Sequence, residues 1–407
     1  MRLTHLLLCS VLILLLTRCS HSGDAYNPTT ENSATGTIYL TGDASIAALD
    51  IAANTFKFKT PVYDGTAYGA SFLGYDSGYL YKGSQYHMTS YNTTNGNWLW
   101  NYNYYQGTVS GGYSNPSQKM IFVDSLMYFV QNFFGWGTSA YCMNKKTGRL
   151  LWRQLLAGDF GILGSSTPAI SGDRVIASGG NMDGDEFINC FNRFNGQLLW
   201  KYSTPRSSSD KLEIYNGTVI SYGGNKITCL NLNDGTFRWQ VMPTRTAGAT
   251  AVDYISVNDQ MVVLRSVNNS IEGYSVNKNN STITYRPVFP ESYTQCVYTN
   301  NKLYLLINGS TDIKVKAVSI DNYSPVWTCT ISPPYGDRFI AYYFTKMVLT
   351  DDRIIFGENF ENTVSSRKCK FNLVDLATGS LKQQTIPVNV NPYITVVKQG
   401  KIYTAGN

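Results

Sequence analysis

An all-β fold, a closed ring of eight four-stranded antiparallel blades, is the architecture that three features of this 407-residue sequence predict. One short pattern returns eight times, its period is that of a propeller blade, and the two ends of the chain carry complementary spare strands. In each copy two residues of strand character precede a polar Asn, Asp or Ser. In seven copies an aromatic residue follows eight positions later.

In chain order the first four copies run from Ala48-Leu49-Asp50 to Phe58, Ser90-Tyr91-Asn92 to Trp100, Cys142-Met143-Asn144 to Trp152, and Cys190-Phe191-Asn192 to Trp200. The other four run from Cys229-Leu230-Asn231 to Trp239, Ser275-Val276-Asn277 to Tyr285, Ala317-Val318-Ser319 to Trp327, and Leu373-Val374-Asp375 to Gln383. Midway lie Gly96, Gly148, Gly196, Gly235 and Gly379, with Asn54, Ser281 and Tyr323 at that phase in the remaining copies. Each copy reads as a hairpin. Segments such as Lys226 to Asn231 alternate small and large side chains with the period of a strand. The turn that follows suits Asn or Asp, which bond their own backbone, and Gly, which takes positive φ at no steric cost. Upstream of each copy lies a second pair of short strands, as in Ala169 to Ala177 around Gly172-Asp173, so one repeat supplies about four strands.

The polar anchors are 39 to 56 residues apart. A four-stranded sheet cannot bury both faces alone, so such units stack around an axis. Seven blades is the alternative, because the first copy is short and its turn lacks Gly. That first copy, from Gly36 to Leu40 onward, lacks an innermost strand, whereas Tyr393 to Val397 and Gly400 to Tyr403 are surplus at the other end. Pairing them would cover both free edges.

The start of the chain is of a different kind. Met1 to His5 is a short basic segment, and Leu6 to Leu16 is an apolar run too short to span a bilayer, which together read as a secretory signal. Leu16-Thr17-Arg18-Cys19 resembles a bacterial lipobox, in which Cys19 would become the lipidated first residue; Arg18 departs from the small residue usual at that place. Residues 1–18 are therefore expected to be a lipoprotein-type signal, 19–35 a flexible tether rich in Ser, Thr, Asn and Gly, and 36–407 the propeller. An exported, membrane-anchored protein follows, on the periplasmic side of an outer membrane or at the cell surface.

Composition suits that placement: 15% of residues are charged and 14% aromatic, with 30 Tyr. The formal charge of +6 includes Arg2 and Arg18 of the leader, and no Lys/Arg block marks a nucleic-acid surface. Cys142, Cys190 and Cys229 share one repeat position, where rotation about the ring would hold them beyond the roughly 7 Å reach of a disulfide, so they are expected to be small buried residues. One bridge among Cys296, Cys329 and Cys369 stays open.

Conventional chemistry finds little footing. Beyond the leader only His21 and His87 occur, which leaves no multi-His metal site and no basis for a His-centred triad. Asn181 to Glu186 alternates Asn and Asp like the start of a calcium loop, but Glu186 stands where that loop requires Gly. It reads as a solvated hairpin loop. Ser110-Gly111-Gly112-Tyr113 lacks the Gly-Lys-Ser/Thr of a phosphate loop. No metal and no cofactor is expected.

The pattern small-x-Asp/Asn-x-x-Thr/Asn-Gly-x-x-x-Trp resembles the tryptophan-docking repeat of quinoprotein-type, or PQQ-like, propellers, from Gly36 to Asn407. The resemblance implies that Trp100, Trp152, Trp200, Trp239 and Trp327 pack against the glycine turn of the neighbouring blade. It identifies a fold and not a chemistry. Quinone-dependent dehydrogenases of this superfamily typically carry adjacent cysteines, and this chain has no Cys-Cys pair. In length, signal and blade number the chain is more similar to the lipid-anchored propeller subunit of the outer-membrane β-barrel assembly machinery (BamB-like).

Connections between blades, and between second and third strands, open on one face. That face would receive Tyr104, Tyr105, Phe133, Phe134, Trp136, Arg206, Arg245, Arg338, Tyr342 and Tyr343, a mixture of stiff rings and Arg that binding surfaces favour. Packing of some of these rings as plugs over the central channel is the competing expectation. The sequence points to a non-catalytic scaffold that docks protein partners, with outer-membrane assembly components implied by the resemblance. A cell-surface carbohydrate-binding propeller and a quinone-dependent dehydrogenase are the alternatives.

Overall fold

The computed structural model describes residues 36–42, 45–62, 72–84, 87–104, 114–116, 120–133, 137–157, 166–180, 185–204, 211–223, 226–242, 251–267, 270–309, 312–331, 343–361, 367–386, 394–398 and 401–404. Every regular element among them is a strand, and the strands form eight antiparallel sheets. The chain is an eight-bladed β-propeller. Blade 4 shows the plan: Ala169–Ser171, Arg174–Gly180, Glu186–Asn192 and Leu198–Thr204 lie side by side in that order. Blades 2, 3, 5, 6, 7 and 8 occupy residues 72–103, 114–157, 211–241, 251–285, 295–331 and 343–386 in the same way, with the first strand split in two in blades 3 and 8.

Blade 1 closes the ring. Thr37–Gly42 pairs on one side with Ser45–Asp50 and on the other with Thr395–Lys398, in the register Thr37 to Val397, Ile38 to Val396 and Tyr39 to Thr395. Lys401–Thr404 adds a fifth strand beyond it. The first copy is thus a full blade built from both ends of the propeller.

Among the described residues the buried apolar side chains fall into eight clusters, each spanning two adjacent blades. The period of two explains why. In Leu126–Phe133 of blade 3, Leu126, Tyr128 and Val130 pack toward blade 4, while Met127 and Phe129 pack toward blade 2. In Lys302–Asn308 of blade 7, Leu303 and Leu305 face blade 6 and Tyr304 and Leu306 face blade 8. Both faces of a blade are buried, so its middle strands read as nearly unbroken apolar runs. Cys142, Cys190 and Cys229 are buried in three different clusters, and the six cysteines from Cys142 to Cys369 are all free thiols, so no bridge joins Cys296, Cys329 and Cys369.

The hairpin turns follow the local chemistry that the repeat predicts. The Asn144 side chain accepts the amides of Lys146 and Thr147 at 3.0 Å, and the Gly148 amide closes the turn on the Asn144 carbonyl at 2.9 Å. The five repeat glycines take φ between +69° and +73°, and Asn54, Ser281 and Tyr323 are forced to +54°, +61° and +56° at the same phase. In six blades a register shift follows the small residue, for example between Cys190 and Phe191. This β-bulge sets Trp200 directly opposite Cys190 and turns its ring toward the next blade.

Candidate functional site

The repeated aromatics are joints between blades. Trp100, Trp152, Trp200 and Trp327 lie against Gly148, Gly196, Gly235 and Gly379 of the following blade, and Phe58 lies against Gly96. Each of these four indole N–H groups donates to the carbonyl one residue after the next anchor: Lys145 (3.1 Å), Arg193 (2.9 Å), Leu232 (2.9 Å) and Leu376 (3.1 Å). The bond satisfies a carbonyl that the tight turn leaves without a ladder partner.

Three joints are built otherwise. Blades 6 and 8 show no register shift before the docking position, so the residue facing the next blade is one place later than the repeat predicts. Arg286, not Tyr285, donates to the Ile320 carbonyl, and Gln384, not Gln383, donates to the Ile51 carbonyl. Tyr285 is exposed to solvent, and Gln383 turns back on its own blade, donating its Nε2 to Asn372 Oδ1 at 2.8 Å. At the joint of blades 6 and 7 the aromatic has changed sides: Tyr323, at the glycine phase of blade 7, reaches back over Gly273 of blade 6. At the joint of blades 5 and 6, where Ser281 replaces Gly and Trp239 is only partly buried, Lys278 takes over. Its buried ammonium meets Glu213 at 2.7 Å and the Asn258 carbonyl at 2.9 Å, and sits 4.7 Å from the Tyr215 ring centroid. The position after the anchor also carries a cation in blades 3 and 4, where Lys145 pairs with Asp76 and Arg193 with Asp124 of the preceding blade.

A further charged group lies on the inner strands of blades 5 to 8. Lys211, at the head of Lys211–Tyr215, donates to the Tyr254 carbonyl at 3.4 Å, and burial lowers its pKa. Burial raises the Asp253 carboxyl above its usual range, against the Tyr293 hydroxyl and the charges of Lys346 and Lys211, which favour its ionised form. Tyr293 is fixed by the Leu264 carbonyl, and Gln295 ties the neighbouring inner segments by bonding Thr345 O at 3.0 Å and Met347 N at 2.8 Å. These groups offset one another, and no set of three His, Cys, Asp or Glu side chains poised for a metal occurs among the described residues.

The expected binding face fares unevenly. Tyr104 is not on a surface: it is 7% exposed and packs among Phe129 and Tyr141, with ring centroids 6.1 and 5.7 Å away. The reason is strand parity, since Tyr104 follows Trp98–Asn103 on the same side as Trp100 and so faces blade 3. Phe133 and Tyr343 stand at strand ends, at Leu126–Phe133 and Tyr343–Phe344, and their side chains are outside the description. Tyr105, Phe134, Trp136, Arg206, Arg245, Arg338 and Tyr342 lie outside the described residues, as do Cys19, the signal, the tether and Asn181 to Gly184.

The ring's perimeter was missed by sequence reasoning. Its outer strands expose Trp98 and Leu99 in blade 2, Leu151 and Leu155 in blade 3, Leu198 and Leu199 in blade 4 and Phe237 in blade 5. The eight described outer strands contain no Asp or Glu, while Lys57, Lys59, Arg153, Lys201, Arg238 and Lys382 lie on them. An acid-free outer strand in every copy was the available signal.

A family model described as outer membrane protein assembly factor BamB matches residues 30–183, 124–282 and 184–338. Among curated proteins of that name, the one from Taylorella asinigenitalis is 29% identical over 133 residues, covering 30% of this chain and 33% of its own. The one from Moranella endobia is 22% identical over 233 residues, 54% of each chain. The chain thus spans about half or less of the curated relatives it matches. The crystal structure of BamB from Moraxella catarrhalis superposes with a TM-score of 0.53 at 15% identity, over 90% of this chain and 98% of that one, a likeness of fold.

Proposed function

This chain belongs to the family of the outer membrane protein assembly factor BamB, and from that premise we propose that it is an exported, non-catalytic lipoprotein whose propeller docks protein partners of outer-membrane protein assembly. The observation that carries the reading is how the repeat spends its polar groups. Anchors, indoles and buried cations are consumed in turns and joints between blades, so the described framework is a rigid display for the connections it holds. The connections between blades, and between second and third strands, start from strand ends on one face, and there a partner would meet Phe133, Phe134, Trp136, Arg206, Arg245 and Arg338. Rings and Arg displayed on a rigid frame lose little entropy on docking. Cys19 supplies the anchor, and a tether of residues 19–35 lets the face search for its partner.

The test is affinity purification of the tagged full-length chain from gently solubilised native membranes, followed by mass spectrometry. Barrel-assembly components should co-purify, and they should be lost when Phe133, Phe134 and Trp136 are replaced together by Ser. Recovery of the same partners after that replacement would remove this face from the reading. Recovery of no protein partner would overturn the scaffold itself.

A further inference from the structure

The outer strand of a blade is an edge with one side in water, and edges carry lysines to discourage pairing with stray strands. That need is equal on every blade, yet the charges are not equally spread. Blades 2, 6 and 7 have no Lys or Arg on their outer strands. Blades 3, 4, 5 and 8 carry one each, Arg153, Lys201, Arg238 and Lys382, and blade 1 alone carries two, Lys57 and Lys59. Lys57 is partly engaged, with Thr37 Oγ1 at 2.6 Å and the Asp50 carboxylate at 3.9 Å. Lys59 and Lys382 are exposed.

Next to them stand large apolar groups. Phe58 and Thr60 of blade 1 abut Gly96 of blade 2, and two and three residues beyond Gly96 come Trp98 and Leu99, 46% and 40% exposed. Two exposed lysines, an exposed Trp and an exposed Leu therefore share one flank, where the Asp50 carboxylate engages Lys57. This is the chemistry of a bilayer interface, where an indole sits at headgroup depth and Lys meets anionic lipid while its stem lies along apolar surface.

The chain also enters the ring here. Gly36 is held to blade 1 by the Ile51 amide at 2.9 Å and packs on Ile51 and the Val397 carbonyl. On the tethered reading, a seventeen-residue linker, 19–35, would have a root-mean-square reach of roughly 23 Å, and an anchor at Cys19 would hold this flank closer to a membrane than the far side of the ring.

We propose that the flank formed by the outer strands of blades 8, 1 and 2 rests on an anionic lipid surface, with Trp98 and Leu99 among the headgroups and Lys59 and Lys382 over them. This rests on the reading of the chain as tethered through Cys19, and it orients the connection face sideways to the membrane.

The test uses the chain from Ser20 onward, without an acyl group, sedimented with vesicles of phosphatidylcholine alone or with added phosphatidylglycerol. Binding should require the anionic lipid. Lys59→Gln and Lys382→Gln should each weaken it about fivefold, and Lys201→Gln on blade 4 should leave it unchanged. Brominated lipid should quench tryptophan emission, and Trp98→Phe should abolish that quenching. No binding to anionic vesicles, equal weakening by Lys201→Gln, or quenching that survives Trp98→Phe would overturn the proposal. With no acyl chain and no protein partner present, none of these outcomes depends on lipidation of Cys19 or on what co-purifies.

Discussion

Replacing Gly196 by Ala tests the joint between blades 3 and 4. Gly196 sits at φ +73°, a left-handed conformation that costs an L-residue about 1–2 kcal/mol. A Cβ there would stand 2.8 Å from Cγ and 2.9 Å from Cδ2 of Trp152. The indole would have to shift, straining its hydrogen bond to Arg193 O, and overpacking of this kind costs about 1–3 kcal/mol. The variant should therefore lose about 2–5 kcal/mol. Gly217→Ala isolates the conformational part, because Gly217 has φ +71° and nothing within 4 Å of the added carbon; it should lose only about 1–2 kcal/mol. Trp152→Ala alone should cost roughly 3–5 kcal/mol. In the double variant the space is open, so Gly196→Ala should cost about 1–3 kcal/mol less than in the parent. Equilibrium urea unfolding followed by tryptophan emission and circular dichroism measures all four, provided the two probes coincide. Equal costs for Gly196→Ala and Gly217→Ala within ~0.5 kcal/mol, or additivity in the double variant, would refute docking against this turn.

Three more outcomes follow from the joints. Arg286→Ala should cost about 1.5–3 kcal/mol, as for a hydrogen bond from a charged group, while Tyr285→Ala should stay within ~0.5 kcal/mol, both read from urea midpoints. Lys278→Met should cost about 3–5 kcal/mol at pH 7 by leaving Glu213 ionised and unpaired. Burial works against ionisation of Glu213, but Lys278, Ser256 and Tyr222 outweigh it and hold its folded pKa below the ordinary value. Its contribution is complete above the unfolded pKa of about 4.3 and is lost as pH falls through the folded value, so the gap between parent and Lys278→Met should narrow in acid melts. Burial pushes the Cys142 thiol to about 11 and Cys190 to about 12; a disulfide reagent at pH 8 should label neither in the native protein and both after unfolding, as peptide mapping would show.

What the sequence made legible was the local physics that recurs. Anchor, glycine and aromatic each answer a need repeated in every copy, so eight blades, their hairpins and the closing strand could be read from spacing. The joints of blades 6 and 8 could not, because the missing bulge before Arg286 and Gln384 is a matter of pairing register, and a one-residue slip turns side chains over. Tyr104 was misread for the same reason in small: it was placed in a connection, although its parity with Trp100 assigns it to the core. Lys278 was hidden because its value lies in Glu213 and Ser256, which are 65 and 22 residues away in sequence and adjacent only across a joint.

The pairing of Thr37–Gly42 with Thr395–Lys398 also gives the molecule a clock. A ribosome adding residues in order makes the first blade's second strand early and must build some three hundred and fifty more residues before its neighbour exists. Until then that strand presents an open row of amides and carbonyls, and Gln384 has no carbonyl of Ile51 held in place to receive it. The joints from blade 1 onward to blade 8 can form in turn as their sequences appear, but the circle is sealed in one late event that joins contacts of extreme sequence separation. Interrupted synthesis would leave an arc with two sticky ends, which is both a target for proteases and a template for neighbouring arcs.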